Sequence, residues 1–289
     1  MKPSLKICQS IGRNPWLPLK LRRSIVKRIY PHKKSPDYTF STDFYETIYT
    51  GNLRNWIDWN VFFFGAYELG LLNLFKKIME NGLSSKGIFV DVGANVGQHS
   101  IFLSRYARRV YSFEPYHKVR RKLEEKIARN DIKNITVYPF GLGETNERIP
   151  FFEPGMSNLG TGSFVSGRHN QGGSTTELEI AIGDEIILKE NPERVDLIKI
   201  DVEGYEKAVI KGFSNTIQKY KPVVVFEYSL DTKQSFHDFP SMKRLFPDGY
   251  RFLKISGKSK EKCTLKEFQC THGGDVIAFT DQHTICMLT

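Results

Sequence analysis

Residues 87–115 read GIFVDVGANVGQHSIFLSRYARRVYSFEP, and their pattern decides the fold. Ile88, Phe89 and Val90 form a β-favouring apolar run, too short for a helix and bounded by glycines, which suits a buried strand of a parallel sheet. Gly93 and Gly97 punctuate a turn. Residues 98–108 then carry Ile101, Phe102 and Leu103 at near-helical spacing among polar neighbours, which predicts a crossover helix. Residues 110–113 resume a strand, closed by Glu114 and Pro115.

Such a strand–turn–helix–strand unit presents backbone amides at a helix N-terminus and ends its second strand in an acid. That is the outline of a nucleotide-cofactor site in which Glu114 accepts the ribose hydroxyls. A dinucleotide fingerprint starting at Gly93 requires glycine at positions 95 and 98, where Asn95 and Gln98 stand. The chain instead spaces Asp91, Gly93, Asn95 and Gly97 two apart, with a carboxylate ahead of the first glycine. A carboxylate is repelled by a pyrophosphate and attracted by a cofactor bearing an amino group and a sulfonium, so S-adenosylmethionine is the expected cofactor. A dinucleotide-dependent oxidoreductase and a non-catalytic, cofactor-binding interaction protein are the alternative readings.

Four stretches resemble the FkbM family of S-adenosylmethionine-dependent methyltransferases: FVDVGANVG (89–97), FEP (113–115), NITVYPFGLGE (134–144) and LIKIDVEGYE (197–206). The similarity covers roughly residues 51–229, and IDVEG is more specific than the glycine turn. The resemblance implies an α/β, Rossmann-like class I methyltransferase sheet, mostly parallel with an antiparallel C-terminal strand and helices on both faces. It implies O-methylation of a hydroxyl on a sugar, a glycan or a secondary metabolite. It also implies that Glu68, in the Tyr67-Glu68 pair, reaches the methionine amino group, and that Ser157, Asn158 and Ser163 order beside the cofactor.

Charge is unevenly spread. The formal net charge is +10, and residues 1–36 hold ten Lys or Arg with no Asp or Glu, so the basicity belongs to an N-terminal arm. A nucleic-acid enzyme would carry its cations around the cleft, which argues against a nucleic-acid partner. The arm reads as a solvated or disordered segment, with weak contact to an anionic membrane through an amphipathic helix as the second reading. An aromatic-rich helical extension follows at 37–84, and the methyltransferase domain occupies 85–289. No apolar run reaches about 18 residues and the first residues lack an apolar core, so neither a membrane span nor a signal peptide is expected. Cys8, Cys263, Cys270 and Cys286 make no CxxC pair, which points to free thiols in a cytoplasmic protein.

Along the rest of the chain, residues 61–79 predict one helix, with Tyr67-Glu68 on it. Residues 135–140 predict a third strand, followed at the carboxyl edge by Gly141, Gly143 and Glu144, with Glu144 a candidate for the adenine amino group. Residues 150–173, rich in Gly, Ser and Asn, suit a lid or acceptor-binding element. Residues 195–200 and 223–226 predict the fourth and fifth strands, ending in Asp201, Glu203 and Gly204 and in Glu227. Residues 250–255 and 276–279 predict an antiparallel pair separated by a polar loop.

Three carboxylates converging at one sheet edge repel unless they are protonated, paired or bridged, which leaves two mechanisms. In the preferred one, Glu203 or Asp201 is the general base, with help from His237, and Asp201 also faces the cofactor. In the other, Asp201 and Glu227 hold Mg²⁺ or Mn²⁺. The acceptor, a small molecule or glycan, would meet Ser157, Asn158 and Glu227. His99 points into the cleft or packs on its helix.

Overall fold

The structure, a computed structural model, describes residues 3–81, 87–152, 175–228, 236–268 and 274–283. Two helices, α1 (Pro3–Arg13) and α2 (Leu19–Ile29), precede a hairpin, β1 (Thr39–Phe44) and β2 (Thr47–Asn52). Helices α3 (Trp56–Phe64) and α4 (Leu69–Glu80) lead to β3 (Ile88–Val92), α5 (Gln98–Leu103), β4 (Arg109–Phe113), α6 (His117–Arg129) and β5 (Ile135–Tyr138). Then come β6 (Gly141–Gly143), β7 (Glu147–Phe152), β8 (Thr175–Ile182), α7 (Gly183–Glu190), β9 (Leu197–Ile200), α8 (Glu206–Gly212), α9 (Ser214–Tyr220) and β10 (Val223–Tyr228). The chain closes with α10 (Phe239–Lys243), β11 (Arg251–Ser256), β12 (Thr264–Glu267) and β13 (Gly274–Phe279).

The main sheet runs β12-β11-β13-β10-β9-β3-β4-β5. Strands β10, β9, β3, β4 and β5 are mutually parallel, and β13 inserts antiparallel between β10 and β11. This is the expected class I methyltransferase sheet. Its order reverses between β3 and β9, which places the ligand crevice above their carboxyl ends. Alternation along the central strands supplies both cores: Phe89, Leu197, Val223, Val225 and Ile277 face one layer, and Val90, Ile198, Val224, Phe226 and Ala278 face the other. The first layer also holds α1 to α5, and the second holds α8 and α9.

Four expectations need correction. The helix read across 61–79 is two helices, because Gly65 (φ 85) ends α3 in left-handed backbone and Glu68 (φ 51) starts α4. Tyr67 and Glu68 therefore sit in the break. The polar loop between the last two strands contains β12, whose mostly exposed TLKE sequence carries no apolar signal. The stretch after β5 is not part of the main sheet: β6 pairs with β8, and β7 joins them in a second, three-stranded sheet.

The basic arm is the fourth correction. It folds as two helices that pack on each other, with Leu5, Cys8 and Val26 buried. Gly12 lies against the Phe63 carbonyl, where a Cβ would approach to 2.2 Å. Arg13 donates to the carbonyls of Phe62 (3.0 Å) and Val61 (2.8 Å) at the C-terminus of α3, where cations are favoured. Charge density read as solvation in the sequence is partly spent capping another helix. Cys8 is a buried free thiol and Cys263 a half-buried one; Cys270 and Cys286 lie outside the described residues. Among the described residues no helix is long and apolar enough to cross a membrane.

Candidate active site

The glycine turn shapes the site by letting backbones approach. Gly93 (φ 76) leaves β3 so close to the end of β9 that a Cβ would lie 2.0 Å from the Asp201 carbonyl oxygen. Gly97 (φ 84) begins α5 where a Cβ would lie 2.1 Å from Leu123 on α6. Between them Asn95 adopts φ 52, a conformation Asn tolerates, and its N–H turns to Glu114.

Glu114 is buried at the end of β4, accepting from the amides of Asn95 (2.9 Å) and Tyr116 (3.0 Å). Burial pushes its carboxyl up to about 7 against those hydrogen bonds, which work the other way. It lines a cavity with Gly93, Asn95, Leu142, Phe151 and Tyr116, an apolar slot beside a fixed acceptor. Asp201, Glu203 and Tyr205 line the same cavity from the opposite strand end. A second concavity, about 890 Å³, lies between the β1–β2 hairpin and α6 and shares none of these residues. The chemistry points to the first.

Beneath the cavity floor the first core layer contains charge. Asp91 and Lys199 are register partners on β3 and β9, and both side chains turn to the layer holding Phe89 and Leu197. The Lys199 ammonium lies 3.2 Å from Asp91 and 3.4 Å from Asp201, and donates to the Gly93 carbonyl (3.2 Å). Asp91 also accepts from the Ser100 hydroxyl (2.6 Å). Although burial opposes it, the two carboxylates hold Lys199 charged, well above the ordinary lysine range. Desolvation pushes Asp201 up, but Lys199 and Lys258 outweigh it and hold its carboxyl below the usual range.

A second charged group closes the cluster on the α4 side. Glu68 is buried, paired to Lys258 at 2.8 Å, and Lys258 also pairs with Asp275 at 2.9 Å. Burial raises the Glu68 carboxyl, opposed by Lys258. Gln98 ties this corner to the glycine turn, accepting from the Tyr67 amide (2.6 Å) and donating to the Tyr67 carbonyl (2.8 Å). His99 packs on Phe75 with Nε2 3.9 Å from Glu68, and burial lowers its pKa to about 4, so the ring is neutral.

The structure therefore brings together some of the residues singled out in the sequence and separates others. Gly93, Asn95, Gly97, Glu114, Asp201 and Glu203 surround or build the cavity. Asp91 does not reach it: wholly buried, it holds Lys199, so the attraction to a sulfonium expected of it is cancelled by an ammonium. Glu144 is half-exposed and paired with Lys211 at 2.8 Å, outside the cavity lining, and Gly143 packs against Ile180 and Tyr205. His237 is exposed on the loop before α10. His99 takes the packing alternative. Glu227 faces the same layer as Lys199, opposite Asp275 in register. Ser157, Asn158 and Ser163, with the lid read at 150–173, lie outside the described residues except for 150–152.

The metal alternative finds no donor set. Among the described residues no group of three or more His, Cys, Asp or Glu converges, and Asp201 already faces an ammonium. The cofactor expectation fits better, since the cavity offers a glycine cradle, an apolar slot and a buried carboxyl acceptor. Lys199, Lys258, Asp275, Gln98 and Glu206 were missed. A lysine inside an apolar central strand facing an aspartate inside another was the one available signal. Glu206, buried, accepts from the amides of Val202 (3.2 Å) and Gly204 (3.1 Å) and so shapes the turn after β9.

Comparison with known proteins agrees with this geometry. The family model described as the methyltransferase FkbM domain matches residues 91–252, more than half of the chain. The hexuronic acid methyltransferase AglP of Haloferax volcanii is 32% identical over 137 residues, covering 47% of this chain and 53% of that protein. The methyltransferase sdnD of Sordaria araneosa is 27% identical over 159 residues, covering 45% and 61%. The chain thus spans little more than half the length of either relative. The crystal structure of an FkbM methyltransferase from Methylobacillus flagellatus superposes with a TM-score of 0.44 at 18% identity, covering 71% of this chain and 48% of that one.

Proposed function

Because the chain belongs to the FkbM methyltransferase family, we propose that it transfers a methyl group from S-adenosylmethionine to a hydroxyl of a sugar or glycan. The observation that carries the reading is the Glu114 carboxyl, buried at the lip of the cavity and aimed by two backbone amides. In that position it accepts the ribose hydroxyls, and the slot between Leu142, Phe151 and Tyr116 takes the purine. Bound there, the cofactor supplies an electrophilic methyl on a sulfonium. The net negative charge of Asp91, Lys199 and Asp201 favours its positive end.

Glu203 then receives the hydroxyl proton. It lines the cavity on left-handed backbone (φ 54), a costly conformation for a side-chain-bearing residue and one concentrated at functional sites. Asp201, held by Lys199, is the weaker base and serves to hold the cofactor. A positioned base contributes about 10² to 10⁴-fold. The name of AglP supports an acidic sugar as the acceptor.

Calorimetric titration with S-adenosylhomocysteine tests the cofactor assignment. Saturable binding by the wild type, lost in Glu114→Ala, is expected, and a folded wild-type protein that does not bind overturns it. Methyl transfer to a panel of hexuronic acids tests the base: Glu203→Gln should keep homocysteine-analogue binding and lose about 10²-fold or more in rate. Unchanged turnover by that variant would remove Glu203 from the role.

A further inference from the structure

Exposed large apolar side chains cluster at one end of the molecule. Six are exposed among the described residues, and four of them (Ile7, Trp16, Leu21 and Ile29) belong to the α1–α2 hairpin. Trp16, in the connection, is 92% exposed. Scattered singly, such residues mean little; grouped, they mark a contact surface.

Helical geometry groups them. On α1, Gln9, Gly12 and Arg13 turn toward α3, and Leu5 and Cys8 are buried beside them. Ile7 and Ile11, one turn apart, fall on the side away from α3. On α2, Arg22 donates to the Gly12 carbonyl (3.1 Å) and Val26 is buried, so this side meets α1, and Arg23 lies over the Phe64 ring of α3. Leu21, Ile25 and Ile29, at four-residue spacing, form a stripe on the side turned from α3. Contacts from Gly12 to Arg22 and from Ser4 to Tyr30 (2.5 Å between hydroxyls) run the helices antiparallel. The two apolar stripes therefore flank one seam, with Trp16 at its end.

The surrounding charge selects the partner. Lys6, Lys20, Lys27, Arg28, Lys33 and Lys34 are all exposed, and residues 1–36 contain no acid. Arg13, Arg22 and Arg23, by contrast, are engaged with the body of the protein. Apolar side chains including a tryptophan, ringed by unopposed cations on short helices, match the interface of an anionic bilayer: the rings and aliphatic groups enter the headgroup region and the cations meet the lipid phosphates. A nucleic acid would use the cations and leave the apolar seam in water.

We propose that the α1–α2 hairpin is a peripheral docking surface for anionic membranes, and that it holds the methyltransferase domain against a bilayer. The assignment does not depend on the acceptor or the cofactor. Flotation of the full chain with vesicles of phosphatidylcholine and phosphatidylglycerol tests it, alongside vesicles of phosphatidylcholine alone. The wild type should float with the anionic vesicles and not with the neutral ones, and release as salt is raised. The double variant Trp16→Ser, Leu21→Ser, both positions being exposed, should keep the wild-type melting temperature and lose about tenfold or more in partitioning. Lys27→Gln with Arg28→Gln should lose a comparable factor. Failure of the wild type to float, retention of binding by the serine variant, or a dimer that the serine variant dissociates would each overturn the proposal, the last by making the seam a self-interface.

Discussion

The two carboxylates that face each other across the cavity are held by opposite means. Glu114 is buried against two amides with no cation in contact, and its carboxyl rises to about 7. Asp201 stands beside the Lys199 ammonium and falls below the ordinary range. The same functional group is thus prepared for two tasks, accepting neutral hydroxyls at one end and facing positive charge at the other. Environment, and not residue type, makes the distinction.

Removing the cation should break the contrast most severely. Lys199→Met strands Asp91 in the core, and a loss of about 3–5 kcal/mol in denaturant unfolding is expected. A near-neutral result would mean that Asp91 is protonated in the fold. The Glu114 side is read through pH. Its carboxyl is raised from 4.5 to about 7, so the stability it contributes is complete below pH 4.5 and is lost as pH rises through 7. Over that window, wild type should lose about 3 kcal/mol relative to Glu114→Gln. Parallel stability curves for the two proteins would refute the raised value.

Smaller effects sharpen the picture. Ser100→Ala removes one donor from Asp91 while leaving Lys199, so a cost of about 1.5–3 kcal/mol is expected in the same assay, below that of Lys199→Met. Glu144→Ala separates an exposed ion pair and should cost no more than about 1 kcal/mol. It should also leave S-adenosylhomocysteine affinity unchanged in calorimetry, whereas a loss of tenfold would restore the adenine role first read for it.

How much of this was legible follows from distance along the chain. Gly93, Gly97 and Glu114 lie within one β–α–β unit, so spacing alone exposes their relation. Lys199 is more than a hundred residues from Asp91, and nothing in either local pattern says that β9 will lie beside β3. The basic arm misled for a related reason. Its count of cations is plain, but which of them cap α3 and which face solvent depends on a contact between Arg13 and carbonyls at 61 and 62.

The sequence by itself determined the parallel α/β sheet, the glycine turn and the acid that ends β4, because period-two apolar runs, turn chemistry and strand-end acids are encoded within a few residues. Only the tertiary structure decided that Asp91 is neutralised by Lys199, that Glu68 is locked to Lys258, and that Glu144 and His237 stand outside the cavity. Those outcomes rest on strand order and register, which are set by how the whole sheet assembles and which fix whether a buried charge meets a partner or water.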